Sequence, residues 1–320
     1  MVVTHGHLPR PHGAPARAAA GHAVTVGNFD GVHRGHRAML DRLVRVARER
    51  GLASCALTFE PHPREFFSPG SAPSRLARLR EKLERIAEAG VDRVHVLRFG
   101  APLAGMAPER FAEDVLAAGL GARWLLVGRD FRYGAKRAGD FAQMQASGGK
   151  LGFEVEAMPD VLDGGERISS SAVREALLAG DFARAERLLG RRYTMSGRVA
   201  HGEKLGRELG FPTTNIVLRR KPPLAGIFVV EAELEETRQK LRGVASVGRR
   251  PTVKADAAPL LEVHLFDFAG DLYGRHLRVA FLAKLRDEKT YASLPALREA
   301  IEDDAARARD WFSRIDQDHG

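Results

Sequence analysis

His33 and His36 stand three residues apart at the end of the run Val24-Thr25-Val26-Gly27-Asn28-Phe29-Asp30-Gly31-Val32-His33-Arg34-Gly35-His36. That spacing lets both imidazoles face one ligand at the mouth of a helix. There they can donate hydrogen bonds to a phosphate whose charge grows in a transition state. The helix is announced by Leu40, Leu43, Val44 and Ala47, which recur every three or four residues. A glycine-rich turn feeding a helix start leaves backbone N–H groups and the positive dipole end pointing outward, which suits phosphate. Neither a Walker A sequence nor a Gly-x-Gly-x-x-Gly fingerprint occurs, so phosphate chemistry here uses another architecture.

Other groups could serve the same chemistry. Ser169, Ser170 and Ser171 open a helix, where serines are ordinary caps, and Arg174 adds a cation one turn in. Pro212 stiffens a turn, and Thr213 and Asn215 beyond it offer oxygens suited to a hard cation, although a purely structural turn reads the same way. Glu262 and His264 alternate with Leu261 and Val263, so both project from one face of a strand. Phe131 and Tyr133 could stack on a ligand or pack in a core.

These groups need elements to position them. In the first half, apolar runs at Val24–Val26, Cys55–Phe59, Val94–Phe99, Trp124–Val127 and Phe153–Met158 alternate with helical stretches near 37–50, 74–89 and 108–118. Alternation of this kind predicts a parallel sheet with crossover helices, whose ligands bind beyond the C-terminal strand ends. His33 and His36 follow the first of these runs, Glu60-Pro61-His62-Pro63 the second, and Gly128-Arg129-Asp130-Phe131 the fourth. A short linking helix is expected over 181–192. Strand-rich runs at 193–199, 225–234, 241–247, 259–268 and 276–286 then predict an antiparallel barrel, closed by a helix at about 294–312. Residues 1–21, proline-rich and without acidic residues, read as a disordered tail, and 316–320 as a second short tail.

At 320 residues the chain can bury two cores, and 44% apolar with 28% charged residues is ordinary for a soluble protein. No run approaches the length of a membrane span. The single cysteine, Cys55, lies in an apolar run and makes neither an internal disulfide nor a cysteine-based metal site, which fits a reducing cytoplasm. The net charge of +9 is spread as arginines among glutamates, as in 78–88, and reads as solvated helix faces. No nucleic-acid-binding signature accompanies it, while a positive field favours phosphate-bearing substrates.

Taken in order, the motifs resemble a known family. Residues 27–36 resemble the HxGH signature of nucleotidylyltransferases in its FAD synthetase form. The resemblance implies catalytic roles for His33 and His36 and ATP contacts from Gly27, Phe29, Asp30 and Gly31. Thr58-Phe59-Glu60-Pro61-His62-Pro63 resembles the F-x-P-H-P element, and 127–134 resembles VGxDFxFG with a tyrosine for a phenylalanine. These imply flavin contacts from His62, Asp130, Phe131 and Tyr133. Residues 168–174 resemble the ISSTxIR element that holds the ATP triphosphate, implying Ser170, Ser171 and Arg174.

In the second half, 206–215 resembles the GFPTAN magnesium and nucleotide element of riboflavin kinases, with Thr214 for alanine. It implies ATP contacts from Gly206, Arg207, Pro212, Thr213 and Asn215, and Mg2+ held by Thr213 and Asn215. Residues 243–252 resemble GVxNIGxRPT, implying Arg249 at the flavin, although Ser246 replaces an asparagine and Val253 an aromatic residue. Leu261-Glu262-Val263-His264 resembles the glutamate strand, implying Glu262 as general base. Asp271-Leu272-Tyr273-Gly274 matches DLYG, and Arg286 an arginine near the substrate.

The resemblance, over about residues 22–315, is to bifunctional riboflavin kinase/FAD synthetases. It implies a Rossmann-like α/β domain at 22–180 and an antiparallel β-barrel kinase domain with a C-terminal helix at 193–315. Riboflavin, FMN, FAD and Mg-ATP would be the small molecules handled, with neither nucleic acid nor membrane as partner. Three points stay open: a nucleotidylyltransferase for another acceptor whose barrel only binds flavin, a basic nucleic-acid or regulatory flavin-binding protein, and homo-oligomerisation.

Overall fold

The computed structural model describes residues 1–6, 20–201, 210–218, 220–248 and 258–318. Its contacts divide the chain into two compact units. One comprises Met1–Pro73 with Ala77–Ser170, the other Ser74–Leu76 with Ser171–Gly320.

The first unit contains strands β1 (Val2–Gly6), β2 (His22–Val26), β3 (Ala53–Glu60), β4 (Arg93–Arg98), β5 (Ala122–Gly128) and β6 (Glu154–Met158). They form one sheet in the order β1-β4-β3-β2-β5-β6, and every neighbouring pair is parallel. Helices α1 (Arg34–Glu49), α2 (Pro63–Phe67) and α3 (Leu79–Glu88) come first, then the short α4 (Ala101–Ala104) and α5 (Pro108–Arg110). The turns of α5 widen to π-helical spacing over Phe111–Gly119, and α6 (Phe141–Leu151) follows. The apolar stripe foreseen in α1 packs with Ile86 and Trp124 on one face of the sheet. Phe111, Val115, Leu116, Met144 and Phe153 cover the other. Side chains of β2 alternate between them, Ala23 joining the first cluster and Val24 and Val26 the second.

Strand order reverses at β2: the chain runs outward through β3 and β4, then returns to add β5 and β6 on the other side. The loops after β2 and β5 therefore open at the crevice where ligands bind such sheets. The expected tail is corrected at Val2–Gly6, which pairs with β4 from Val2↔Arg93 to Gly6↔Leu97. Its β-branched Val2-Val3-Thr4 suits a strand, and Thr4 Oγ1 lies 2.8 Å from His95 Nδ1. A two-stranded hairpin, β7 (Leu162–Asp163) with β8 (Glu166–Arg167), precedes the second unit.

Helix α7 (Ser170–Ala179), from Ser171 onward, and α8 (Phe182–Leu189) open that unit. Its strands are β9 (Thr194–Arg198), β10 (Thr213–Val217), β11 (Gly226–Leu234), β12 (Lys240–Gly248), β13 (Leu260–Leu265) and β14 (His276–Arg286). They pair antiparallel in the order β10-β13-β12-β11-β14-β9. The two edge strands nearly close the sheet into a barrel, because Ala200 N–H donates to the Asn215 carbonyl at 2.7 Å. Phe182 of α8 meets Phe228 edge-on at 5.8 Å. The last helix, α9 (Leu294–Asp318), lays Ala305, Ala308 and Phe312 against Val229 and Phe266. It runs through the expected tail at 316, where the Asp316 carboxylate accepts from Nη1 and Nη2 of Arg242, each at 2.7 Å. Among the described residues, no helix is long and apolar enough to cross a membrane.

Candidate active sites

Beyond the C-terminal end of β2, the backbone enters the left-handed region at two residues that rarely adopt it, Phe29 (φ +48°) and Val32 (φ +40°). Both side chains are buried in the core, and that packing holds the strained loop in place. Gly27 lets the Phe29 ring approach closely, since a Cβ there would lie 3.1 Å from it. The Asp30 carboxylate accepts from Ala77 N–H at 3.2 Å, while its carbonyl accepts from the Ser170 hydroxyl at 2.9 Å. Ser170, the last residue of the first unit, is thus joined to the loop. Ser171 is exposed beside it, and Arg174 Nε donates to the Ser74 carbonyl at 2.7 Å.

His33 is the N-cap of α1, its Nδ1 accepting from His36 N–H at 3.3 Å. A backbone N–H can only donate, so Nδ1 is the bare nitrogen and a ring proton sits on Nε2. A Cβ on Gly35 would lie 3.2 Å from the His33 ring, so glycine lets that ring lie back on the helix. The His36 ring stacks on it, centroids 3.7 Å apart and planes within 18°. His36 Nδ1 is shut off from solvent with no hydrogen-bond partner among the described residues. Burial, then His33, then Lys82 hold the His36 imidazole well below its ordinary pKa, so it is neutral at pH 7. The result is a neutral donor pair at a helix N-terminus, suited to an anionic ligand.

The other expected flavin contacts in this unit are placed unequally. His62 caps α2, its Nδ1 accepting from Arg64 N–H at 3.1 Å while Glu65 accepts from His62 N–H at 3.2 Å. Asp130 is exposed and pairs with Arg167 at 2.9 Å. Tyr133 is buried in the core against Phe111, with Phe131 stacked on it at 5.2 Å. Phe131, only partly buried, is therefore the ring of the two with a reachable surface.

In the barrel, register does the assembling. Asn215 stands opposite Glu262, Glu262 opposite Ser246, Ser246 opposite Ile227, and Ile227 opposite Arg286. One cross-strand row thus runs over five strands, on the face that also bears Val229 and Val244 against α9. Asn215 is buried, and its Oδ1 has no hydrogen-bond partner among the described residues. Thr213 stands opposite His264, whose Nδ1 lies 3.0 Å from the Pro212 carbonyl. The Arg286 guanidinium is held by Asp304 through a pair of bonds at 2.9 and 2.6 Å, so its charge is largely committed. Gly206, Arg207 and Arg249 lie outside the described residues.

An FAD synthetase family model matches residues 16–172 and a riboflavin kinase model matches 189–312. A curated bifunctional riboflavin kinase/FMN adenylyltransferase of Pseudomonas fluorescens is 51% identical over 290 residues, covering 90% of this chain and 92% of its own length. The chain belongs to the bifunctional riboflavin kinase/FMN adenylyltransferase family. The relative from Escherichia coli strain K12 bears the same name and is 47% identical over 91% of this chain and 93% of its own. A solved structure described as a macrolide-efflux protein from Streptococcus pneumoniae superposes with a TM-score of 0.77 at 28% identity, over 97% of this chain and 100% of that one.

Several residues of this family member escaped the sequence reading. Phe66 and Phe67 on α2 are 40% and 60% exposed, and both meet Phe99 edge-on at 5.7 and 5.6 Å. With Phe59 at 5.9 Å from Phe99 they form an aromatic platform beside the His62 turn. The adjacent pair Phe66-Phe67 after a proline-framed turn was the available signal. Glu288 closes on the backbone of Gly248, where a Cβ would lie 1.9 Å from Oε1. It accepts from the Ser246 hydroxyl at 3.4 Å, and burial together with Glu262 raises its pKa. Lys82, fully buried on α3, is the third.

Proposed function

We propose that residues 193–315 phosphorylate riboflavin to FMN and that residues 22–180 then adenylylate FMN to FAD, with 181–192 as the linking helix. Family membership supplies the two reactions; the placement of residues supports the division of labour. In the barrel, the riboflavin 5′-hydroxyl attacks the γ-phosphorus of ATP, Glu262 takes the hydroxyl proton, and ADP leaves. The observation that most supports this is register: Asn215, whose buried side-chain Oδ1 has no partner among the described residues, stands directly across from Glu262. Such an oxygen fits a hard cation, so Thr213 and Asn215 are the residues that would hold Mg2+. The ion would neutralise charge on the ATP phosphates. Arg286, fixed by Asp304, acts as the framework of the row rather than as a direct flavin ligand.

In the parallel-sheet unit, a phosphate oxygen of FMN attacks the α-phosphorus of ATP and pyrophosphate leaves. The nucleophile is already an anion, so no base is needed and catalysis is positioning and charge stabilisation. Gly27, Phe29, Asp30 and Gly31 of the loop would contact ATP, Ser170, Ser171 and Arg174 are the residues that would hold its triphosphate, and His33 and His36 donate to the reacting phosphate. The platform of Phe66, Phe67 and Phe99, with Phe131, offers apolar faces for the isoalloxazine ring. A cytoplasmic location fits these substrates. Purified protein given riboflavin and Mg-ATP is expected to accumulate FMN first, then FAD with pyrophosphate, all stopped by a chelator. Failure to produce FMN would overturn the kinase reading, and FMN without FAD would overturn the other.

A further inference from the structure

Lys82 lies on the face of α3 that otherwise turns Leu79, Leu83 and Ile86 towards the core. It is 0% exposed, which lysine almost never is without a compensating reason. Its Nζ lies 3.2 Å from Thr58 Oγ1 at the end of β3. Thr58 Oγ1 in turn donates to the carbonyl of Asn28, inside the loop after β2. A continuous link therefore runs from the buried ammonium to the backbone of the phosphate loop. The titratable groups that act on His36 are His33 from the helix mouth and Lys82 from α3. No step of the reading above uses Lys82.

We propose that Lys82 is a positioning residue for adenylyl transfer: through Thr58 it fixes the Asn28 carbonyl of the loop, and its ammonium acts on the His33–His36 pair where the ATP phosphates bring negative charge. The physical reason is that a cation already fixed in a water-poor setting needs no reorganisation when charge develops. A leucine or methionine at this position would pack as well and supply neither the link nor the field. The same cation also helps keep the His36 ring neutral. The proposal rests on the reading that His33 and His36 serve the adenylyl-transfer site.

The test measures FMN adenylylation and riboflavin phosphorylation in the full-length protein across pH, for Lys82→Met, Thr58→Val and His36→Ala. Lys82→Met is expected to lower kcat for FAD formation by about 10²-fold, with the kinase within about twofold of the parent. The acid limb of its pH profile should move to higher pH, because removing a nearby cation lets His36 protonate earlier. Thr58→Val, which keeps the charge and cuts the link, should cost about tenfold with the acid limb in place. Adenylyl transfer within about threefold of the parent in Lys82→Met, or a loss with the acid limb unmoved, overturns the proposal. Should Lys82→Met lose the kinase too, Thr58→Val decides: unchanged adenylyl transfer overturns the proposal, a selective loss supports it. His36→Ala separates the two levels. If it retains adenylyl transfer, the reading of the site has failed; if it alone is inactive, only the role of Lys82 has.

Discussion

The two halves both handle ATP, yet they gather opposite kinds of side chain. Around the loop after β2 the structure collects His33, His36 and the buried Lys82, and the Asp30 carboxylate is occupied by the Ala77 N–H. Along the barrel row it collects Asn215, Glu262 and, across Ser246, Glu288, while Arg286 is held by Asp304. Under the proposed assignment of the two sites, the difference follows from the nucleophile. FMN arrives with an anionic phosphate, so its site must offset charge and has no proton to remove. Riboflavin arrives with a neutral hydroxyl, so its site needs a base and a cation to hold the phosphates. The fold follows the same division: a helix N-terminus at a parallel-sheet crevice suits anions, whereas an antiparallel row sets oxygen ligands opposite one another by register.

Three changes probe that contrast. Glu262→Gln should cost the kinase about 10³-fold while leaving adenylylation of supplied FMN intact, read by separating FMN and FAD chromatographically. His36→Ala should lower adenylyl transfer by about 10² to 10³-fold and spare the kinase. Asn215→Leu isolates the cation site. Because Oδ1 has no protein partner among the described residues, thermal unfolding should show stability unchanged or raised by about 1 kcal/mol. The Mg2+ concentration that half-saturates the kinase should nevertheless rise by about tenfold or more.

The smallest effect is on stability and belongs to the first unit. Burial, then Arg93 and His5, hold His95 at about 4 against an ordinary 6.5. The unfolded chain therefore binds the proton first, and stability is complete above about 6.5 and lost as pH falls towards 4. Unfolding at pH 5 should show a loss of about 2 kcal/mol relative to pH 7 that His95→Gln reduces.

How much of this was legible depends on whether a feature is local. The α1 stripe and the glycine turn before it are local, and both formed where the pattern placed them. So is the alternation of Glu262 and His264, which put both on one face of β13. The strand Val2–Gly6 was hidden because its five residues gain their place only by pairing with β4, some ninety positions away. The row from Asn215 to Arg286 depends on four separate registers, none of which is written in any single segment. Lys82 was hidden for a different reason: a charged residue on a helix full of arginine and glutamate reads as solvated, although its spacing from Leu79 and Ile86 places it on the buried face. Arg286 was visible as a residue but not as a partner, since Asp304 lies on the far helix.

The division of labour can be tested in one tube. Equimolar His36→Ala and Glu262→Gln proteins, each unable alone to convert riboflavin to FAD, are mixed with riboflavin and Mg-ATP, and FAD is followed over time. Two independent sites predict that the mixture makes FAD, since FMN released by the first variant is adenylylated by the second. A mixture as inactive as its components, with both variants folded, would contradict the account.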